Sequence, residues 1–242
     1  MPFEFFSPDK MLKPYIQCYW TLTGNDTTFD TLHPDGCVDV IANLGEDFLS
    51  KQKNILLKKN GVYLGGALTE AVCEKVPVGI FILGVRLVPG CFGCFYPPKI
   101  LSKVRNDCVR VEDAYLPPLQ ALKNDPIPAL NTFFQRRLYT SYNPLQNAVA
   151  IIANCAGNIT LTEIAADCNK SKRQTERIFN QMIGLSPKQF CKVLQYAHVQ
   201  KLLANRPDNE TLLSVAIDAG YYDHAHLTKS FKKIALRTPG EK

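Results

Sequence analysis

The feature that most restricts this chain is a pattern that occurs twice in its last hundred residues. The first copy runs from Leu161 to Phe179 and the second from Leu213 to Phe231. Each joins a short apolar segment, a tight turn, a polar capping residue and a second segment rich in cationic, amide and hydroxyl side chains. Apolar residues recur at helical spacing in both segments, which predicts two short helices per copy. Two helices across a tight turn form a helix-turn-helix unit. The second helix of such a unit fits a DNA major groove.

Local signals fix the ends of these helices. Thr160 with Glu163 makes a capping box, and Ser171 opens the next helix. Its inward positions are Thr175, Ile178, Phe179 and Met182, and Gly184 stops it. Ser186-Pro187 starts a long helix to about Asn205, with Pro at the tolerated first position. Phe190, Val193, Leu194, Ala197, Lys201 and Leu202 share one stripe of it, which is expected to be largely buried. Upstream, Leu145, Val149, Ile152 and Ala153 share a face on a helix that ends at Gly157-Asn158. Thr211 to Gly220 makes a short helix, and Asp223 caps the last one, with Leu227, Phe231 and Ile234 inward.

The outward faces carry the chemistry. Arg173, Glu176 and Arg177 lie three and four residues apart and share a face, with Lys172 beside them. Arg matches guanine N7 and O6 in a bidentate pair, and Glu accepts from cytosine N4. In the second copy the comparable face holds His224, Ala225, Thr228 and Lys229. The 20 residues from Ser186 to Asn205 span about 30 Å as a helix. Successive major grooves on one side of B-DNA lie about 34 Å apart. A rod of that length can hold two reading helices in consecutive grooves. Lys188, Lys192 and Lys201 on it can meet phosphates.

Charge follows the same division. Residues 1–142 hold 15 Lys and Arg against 14 Asp and Glu, and residues 143–242 hold 13 against 8. The net charge of +6 is therefore concentrated with the repeated pattern, the electrostatic footprint of a polyanion partner. The nine cysteines are odd in number and scattered. The amino terminus lacks a secretory signal, and no apolar run is long enough to cross a membrane. These features point to free thiols and a cytoplasmic protein.

Residues 1–110 are expected to be strands and turns. Tyr15 to Leu22 alternates and is aromatic, Cys37 to Ala42 follows the turn His33-Pro-Asp-Gly36, and Val62 to Leu64 precedes Gly65-Gly66. Val78 to Val88 is apolar on both faces, as in a strand inside a barrel or sandwich. Glu112 to Leu122 and Ala129 to Tyr139 are predicted helices separated by Lys123 to Pro128, and Ser141 to Pro144 leads into the helical half. The fold class expected is α+β and multidomain. It comprises a β-rich barrel or sandwich-like domain over 1–110, a helical connector over 111–142, and an all-α domain with two helix-turn-helix units over 143–242.

Other candidates were weighed on their chemistry. Arg86 sits in an apolar strand and needs a partner, either an acidic effector or a structural carboxylate such as Asp35 or Asp39. Trp20, Tyr15 and Tyr19 could line an effector pocket or fill a core. His33, Asp35, Cys37 and Asp39 alternate, but the Pro-Asp-Gly turn interrupts them, so no metal site is assigned. Cys91-Phe-Gly-Cys94 lacks the second pair that a structural zinc needs. No nucleophile elbow, phosphate loop or zinc-protease helix occurs, so no catalytic residue, cofactor or enzymatic role is assigned.

The last hundred residues resemble the AraC/XylS family of bacterial transcription regulators. The resemblance rests on Ile164-Ala165-Ala166, Ser171, Arg177-Ile178-Phe179, Gly184-Leu-Ser-Pro187 and Ala197 with Leu202-Leu203. It continues through Val215-Ala216, Ala219-Gly220-Tyr221, Asp223-His-Ala-His-Leu227, Phe231-Lys-Lys233 and Thr238-Pro239. It implies a seven-helix domain with a linker helix. It also implies base-reading positions at Arg173, Glu176 and Arg177 and at His224, Ala225, Thr228 and Lys229. The sequence departs from the family at Leu236, where Gly is usual, and at Gln195, where Arg is usual. It stops at Lys242, before the family's final helix would be complete. Pro34 to Asn43 and Gly84 to Gly90 resemble a poorly characterised domain found ahead of such helices.

The expected function is sequence-specific DNA binding for transcription control, responsive to an effector through the N-terminal domain. Double-stranded DNA is the expected partner. A small-molecule effector, RNA polymerase and a second copy of the chain are candidate partners, and a membrane is not. The alternative is a DNA alkylation-repair methyl acceptor with a similar helical domain, which would need a four-cysteine zinc cluster and a nucleophilic cysteine.

Overall fold

The computed structural model describes residues 3–24, 28–50, 55–139, 143–207 and 211–239. Residues 140–142, on which half of the predicted Ser141 to Pro144 boundary falls, lie outside the described residues.

Among the described residues ten strands are formed: β1 Phe3–Phe6, β2 Ile16–Thr23, β3 Thr28–Leu32, β4 Val38–Asn43, β5 Phe48–Ser50, β6 Ile55–Leu57, β7 Gly61–Gly65, β8 Val72–Val76, β9 Phe81–Leu87 and β10 Cys108–Arg110. Six form one antiparallel sheet in the order β1-β2-β9-β4-β7-β10. β3 pairs with β8, and β5 with β6, as two separate ribbons. Alternate residues of the central strands face two cores. Tyr19, Val40, Leu64 and Val85 enter one. Trp20, Tyr63 and Ile82 enter the other, which the ribbons close through Phe48, Leu57 and Val76. Burial on both faces is why β9 reads as an unbroken apolar run.

The expected strand Val78 to Val88 is shorter than its apolar run. Val78-Gly79 is a turn, with Gly79 at a φ of 88°, and pairing begins at Phe81. Strands β1, β3, β5, β6, β8 and β10 were not anticipated. The first connector helix also fails. Asp113–Tyr115 makes a single 3-10 turn, Pro117-Pro118 stops it, and the helix begins only at Leu119.

Helices follow: α1 Phe92–Phe95, α2 Leu119–Asn124, α3 Pro126–Arg137, α4 Gln146–Asn154, α5 Leu161–Asp167, α6 Lys172–Met182, α7 Pro187–Ala204, α8 Leu212–Asp218 and α9 His224–Ala235. α3 starts three residues before the expected Ala129 because Pro126 occupies its tolerated first position. Arg137 anchors its end. The Nε donates to Phe95 O at 3.1 Å and the guanidinium lies 4.8 Å from the Tyr96 ring.

One apolar core runs from the sheet through α3 (Leu130, Phe134) into α4 to α7 (Ile152, Ile164, Phe179, Phe190). A second, smaller core holds α8 and α9 against Tyr196 and Val199 of α7. Two sequence expectations about faces are corrected. Ala153 is exposed, while Ala148 takes its place inward. Lys201 is exposed, and the buried stripe of α7 runs instead through Phe190, Val193, Tyr196 and Val199. α7 is buried on more than one side because the sheet and both helical pairs pack around it, so one stripe underestimates its contacts.

Candidate nucleic-acid interface

The two helix pairs are built alike. Ser171 caps α6 by accepting from Gln174 N, and Gln174 returns the bond to Ser171 N, a complete capping box. Asp223 caps α9 by accepting from His226 N at 2.7 Å. In the first turn Asn169 is left-handed (φ 50°), and Lys170 N donates to Ala165 O at 3.0 Å. In the second Gly220 is left-handed (φ 78°), and Tyr221 N donates to Ala216 O at 2.8 Å. The second turn is one residue longer. Ile164 and Ala165 therefore match Val215 and Ala216 as the buried pair, and Leu161 matches Leu212 rather than Leu213.

Both faces expected to read bases point outward. Thr175 and Phe179 of α6 are fully buried, while Lys172, Arg173, Glu176 and Arg177 on the opposite side are exposed. Leu227 and Phe231 of α9 are buried, and His224, Ala225 and Lys229 are exposed. Thr228 is half-buried and donates its hydroxyl to His224 O at 2.7 Å, so it keeps only acceptor capacity for a groove. Lys188, Lys192 and Lys201 are exposed along α7. Among the described residues none of these cations is held in an ion pair, so their charge is available to phosphates. α7 has 18 residues, about 27 Å, and reaches the expected 20 only with its caps Ser186 and Asn205.

The β-rich half grips α7 directly. Gly36 has a φ of 80°, and a Cβ there would lie 2.4 Å from Phe190 Cε2, so only glycine fits. His33 Nδ1 lies 2.8 Å from Tyr196 Oη, which also accepts from Gln200 Nε2 at 2.6 Å. Sequence reasoning missed this contact, because no local pattern links residues 163 positions apart.

Arg86 is committed to carboxylates. It meets Asp35 at 3.0 Å and Asp39 at 3.1 Å, the structural partners weighed for it. Burial opposes its charge, but Asp39 and Asp35 outweigh that and raise its pKa. Asp39 also accepts from Trp20 Nε1 at 2.7 Å. His33, Asp35, Cys37 and Asp39 therefore do not converge, since His33 turns to α7 and the aspartates turn to Arg86. Burial pushes the Cys37 thiol well up. Cys91 and Cys94 are both buried and hydrogen-bonded to each other, which raises the pKa of Cys91 and lowers that of Cys94.

Comparison with known proteins agrees with this division. Residues 4–110 match a domain of unknown function (DUF6597), and residues 160–242 match a helix-turn-helix domain. The transcriptional regulator ArgR of Pseudomonas aeruginosa is 27% identical over 108 residues, 44% of this chain and 32% of the relative. The transcriptional regulator MtrA of Neisseria gonorrhoeae is 31% identical over 81 residues, 34% of this chain and 26% of the relative. The chain thus covers less than a third of the length of these curated relatives. The solved structure of ToxT from Vibrio cholerae aligns over 99% of this chain and 97% of that one at 8% identity, with a TM-score of 0.49. The paired helix-turn-helix units thus lie within a region that matches a helix-turn-helix domain, behind a β-rich region that matches a domain of unknown function, and the chain is similar to helix-turn-helix transcriptional regulators.

Proposed function

We propose that the chain is a sequence-specific DNA-binding transcription regulator that touches two successive major grooves, with α6 in one and α9 in the next. The observation that carries this reading is the matched pair of capped, outward, cationic helices on one linker helix. Arg173, Glu176 and Arg177 read bases in the first groove, beside Lys172. His224, Ala225, Thr228 and Lys229 serve the second, and Lys188 holds a phosphate. The shared core between the sheet and the first unit supports control by an effector bound in the N-terminal domain. RNA polymerase and a second copy of the chain are further partners in this reading, and the cytoplasm is its compartment. No helix among the described residues is long and apolar enough to cross a membrane. We assign no catalysis to the chain. The domain division at residues 110 and 142 belongs to the same reading.

The test is selection of bound sequences from random DNA, followed by variants on the selected site. Arg177→Ala should weaken specific binding by about 1–3 kcal/mol and relax preference at one base position. Lys188→Ala should weaken all sequences alike and lower the salt slope by about 0.9. An Arg177→Ala variant with an unchanged binding profile sinks the placement of α6.

A further inference from the structure

The second core of the β-rich half contains a cavity of about 90 Å³. Its wall is mainly apolar and aromatic, with Phe3, Trp20, Ile41, Phe48 and Ile82 among the lining residues. One group breaks that character. Glu74 lines the cavity from the inward face of β8, between the buried Val72 and Val76, and is only 8% exposed. One of its carboxylate oxygens accepts from Ser50 Oγ, and among the described residues no cation pairs with it.

A carboxylate in an apolar wall is costly unless a positive or donating group meets it. Trp20 lines the same cavity, and an aromatic ring attracts cations through its quadrupole. We propose that this cavity is a binding site for a small, compact organic cation, an alkylammonium group, held by Glu74 and the Trp20 ring. A volume of about 90 Å³ matches roughly three waters, so the site takes a head of a few carbon atoms. An anionic ligand would meet Glu74 with like charge and be rejected. The site is the effector site of the functional reading above and rests on it only for its role in regulation. Contacts lead from it toward the DNA-binding half: Trp20 bonds Asp39, Asp39 and Asp35 hold Arg86, and the adjoining Gly36 abuts Phe190 of α7.

Trp20 is the only tryptophan in the chain, so its emission reports occupancy directly. The full chain is titrated at neutral pH with methylammonium chloride, with methanol and with formate, small compounds of similar size and different charge that fit a cavity of about 90 Å³. The expected result is a saturable change with the ammonium, binding weaker by about tenfold or more for the alcohol, and none for formate. Glu74→Gln should bring the ammonium down to the level of the alcohol. Should Glu74→Gln fail to fold, the ranking of the three compounds on the unaltered chain decides alone. Equal binding of ammonium and alcohol, unchanged binding in a folded Glu74→Gln chain, or no saturable response to the ammonium each overturns the site. Affinity for the selected DNA is measured in the same samples. Intact DNA binding without the charge ranking removes the cavity proposal alone. Ammonium binding in a chain with no sequence-specific DNA binding removes the functional reading and leaves the site.

Discussion

The two helix-turn-helix units share a plan but not a foundation. α6 is anchored in the main core. Phe179 is fully buried there, joined by Ile183 and Leu185, and the turn at Gly184 lies against Leu101 of the β-rich half. α9 rests on a small separate cluster in which Tyr196 and Val199 are the contribution of α7. A backbone bond from Ala71 N to Ile234 O at 2.7 Å also ties it to the β-rich half. The second unit leaves Leu213, Ile217 and Tyr222 exposed. Stability follows buried area, so the first unit moves with the sheet while the second can open by itself.

The sharpest way to break this contrast is to remove one aromatic anchor from each unit. Phe179→Ala should cost about 3–5 kcal/mol and lower the melting of sheet and helices together. Phe231→Ala removes a comparable side chain, yet should expose α8 and α9 to hydrogen exchange while the sheet amides stay protected. Loss of sheet protection in Phe231→Ala would mean that the two cores are one cooperative body.

A smaller effect concerns how the two reading helices end. Gly184 (φ 86°) follows α6, and Leu236 stands left-handed at 61° after α9. A non-glycine residue there costs roughly 1–2 kcal/mol. Gly184→Leu should destabilise the first unit by more than that amount, since a Cβ there would also lie 3.0 Å from Leu101 O. Leu236→Gly should stabilise the second by up to about 1 kcal/mol, since the Leu236 side chain is 62% exposed and little packing is lost. Thermal melts of both variants check the pair, and a Leu236→Gly chain that melts lower would show that the side chain matters more than its backbone.

The smallest effect separates the opening helices. Thr160 and Glu163 cap α5 with both bonds of the box. Thr211 caps α8 by accepting from Ser214 N, and the residue three places on is Ser214 where α5 has Glu163. Thr160→Ala should cost about 1 kcal/mol. Bonds from the Thr160 hydroxyl and backbone hold the Glu163 pKa below its ordinary value. Its contribution is thus present above pH 4.5 or so and is lost as pH falls through the lowered value. Amide exchange across that range should show α5 loosening and α8 unchanged. Equal loosening of both would remove the carboxylate from the explanation.

The helical half was legible because each of its decisions is local. Ser171, Ser186 and Asp223 act on amides three residues away, and the period of α6 separates Thr175 and Phe179 from Arg173 and Arg177 without reference to any neighbour. The β-rich half was read poorly. β5 and β6 are three residues each and hold too few side chains to show a period. Val72 to Val76 does alternate, and its inward Glu74 was a readable signal that went unused. Pro117-Pro118 was an equally plain stop inside the helix expected over Glu112 to Leu122.

What the linear order of residues settled, then, is the helices of the last hundred residues, their caps and the outward faces of α6 and α9, since those depend on groups within one or two turns. Folding in three dimensions decided that α6 and α9 are unequally anchored and that, among the described residues, nine of ten strands line one cavity that holds a carboxylate. It also decided that Arg86 is spent on Asp35 and Asp39. Those outcomes depend on which distant segments meet, and the chain meets itself there through many weak apolar contacts that no short window of sequence contains.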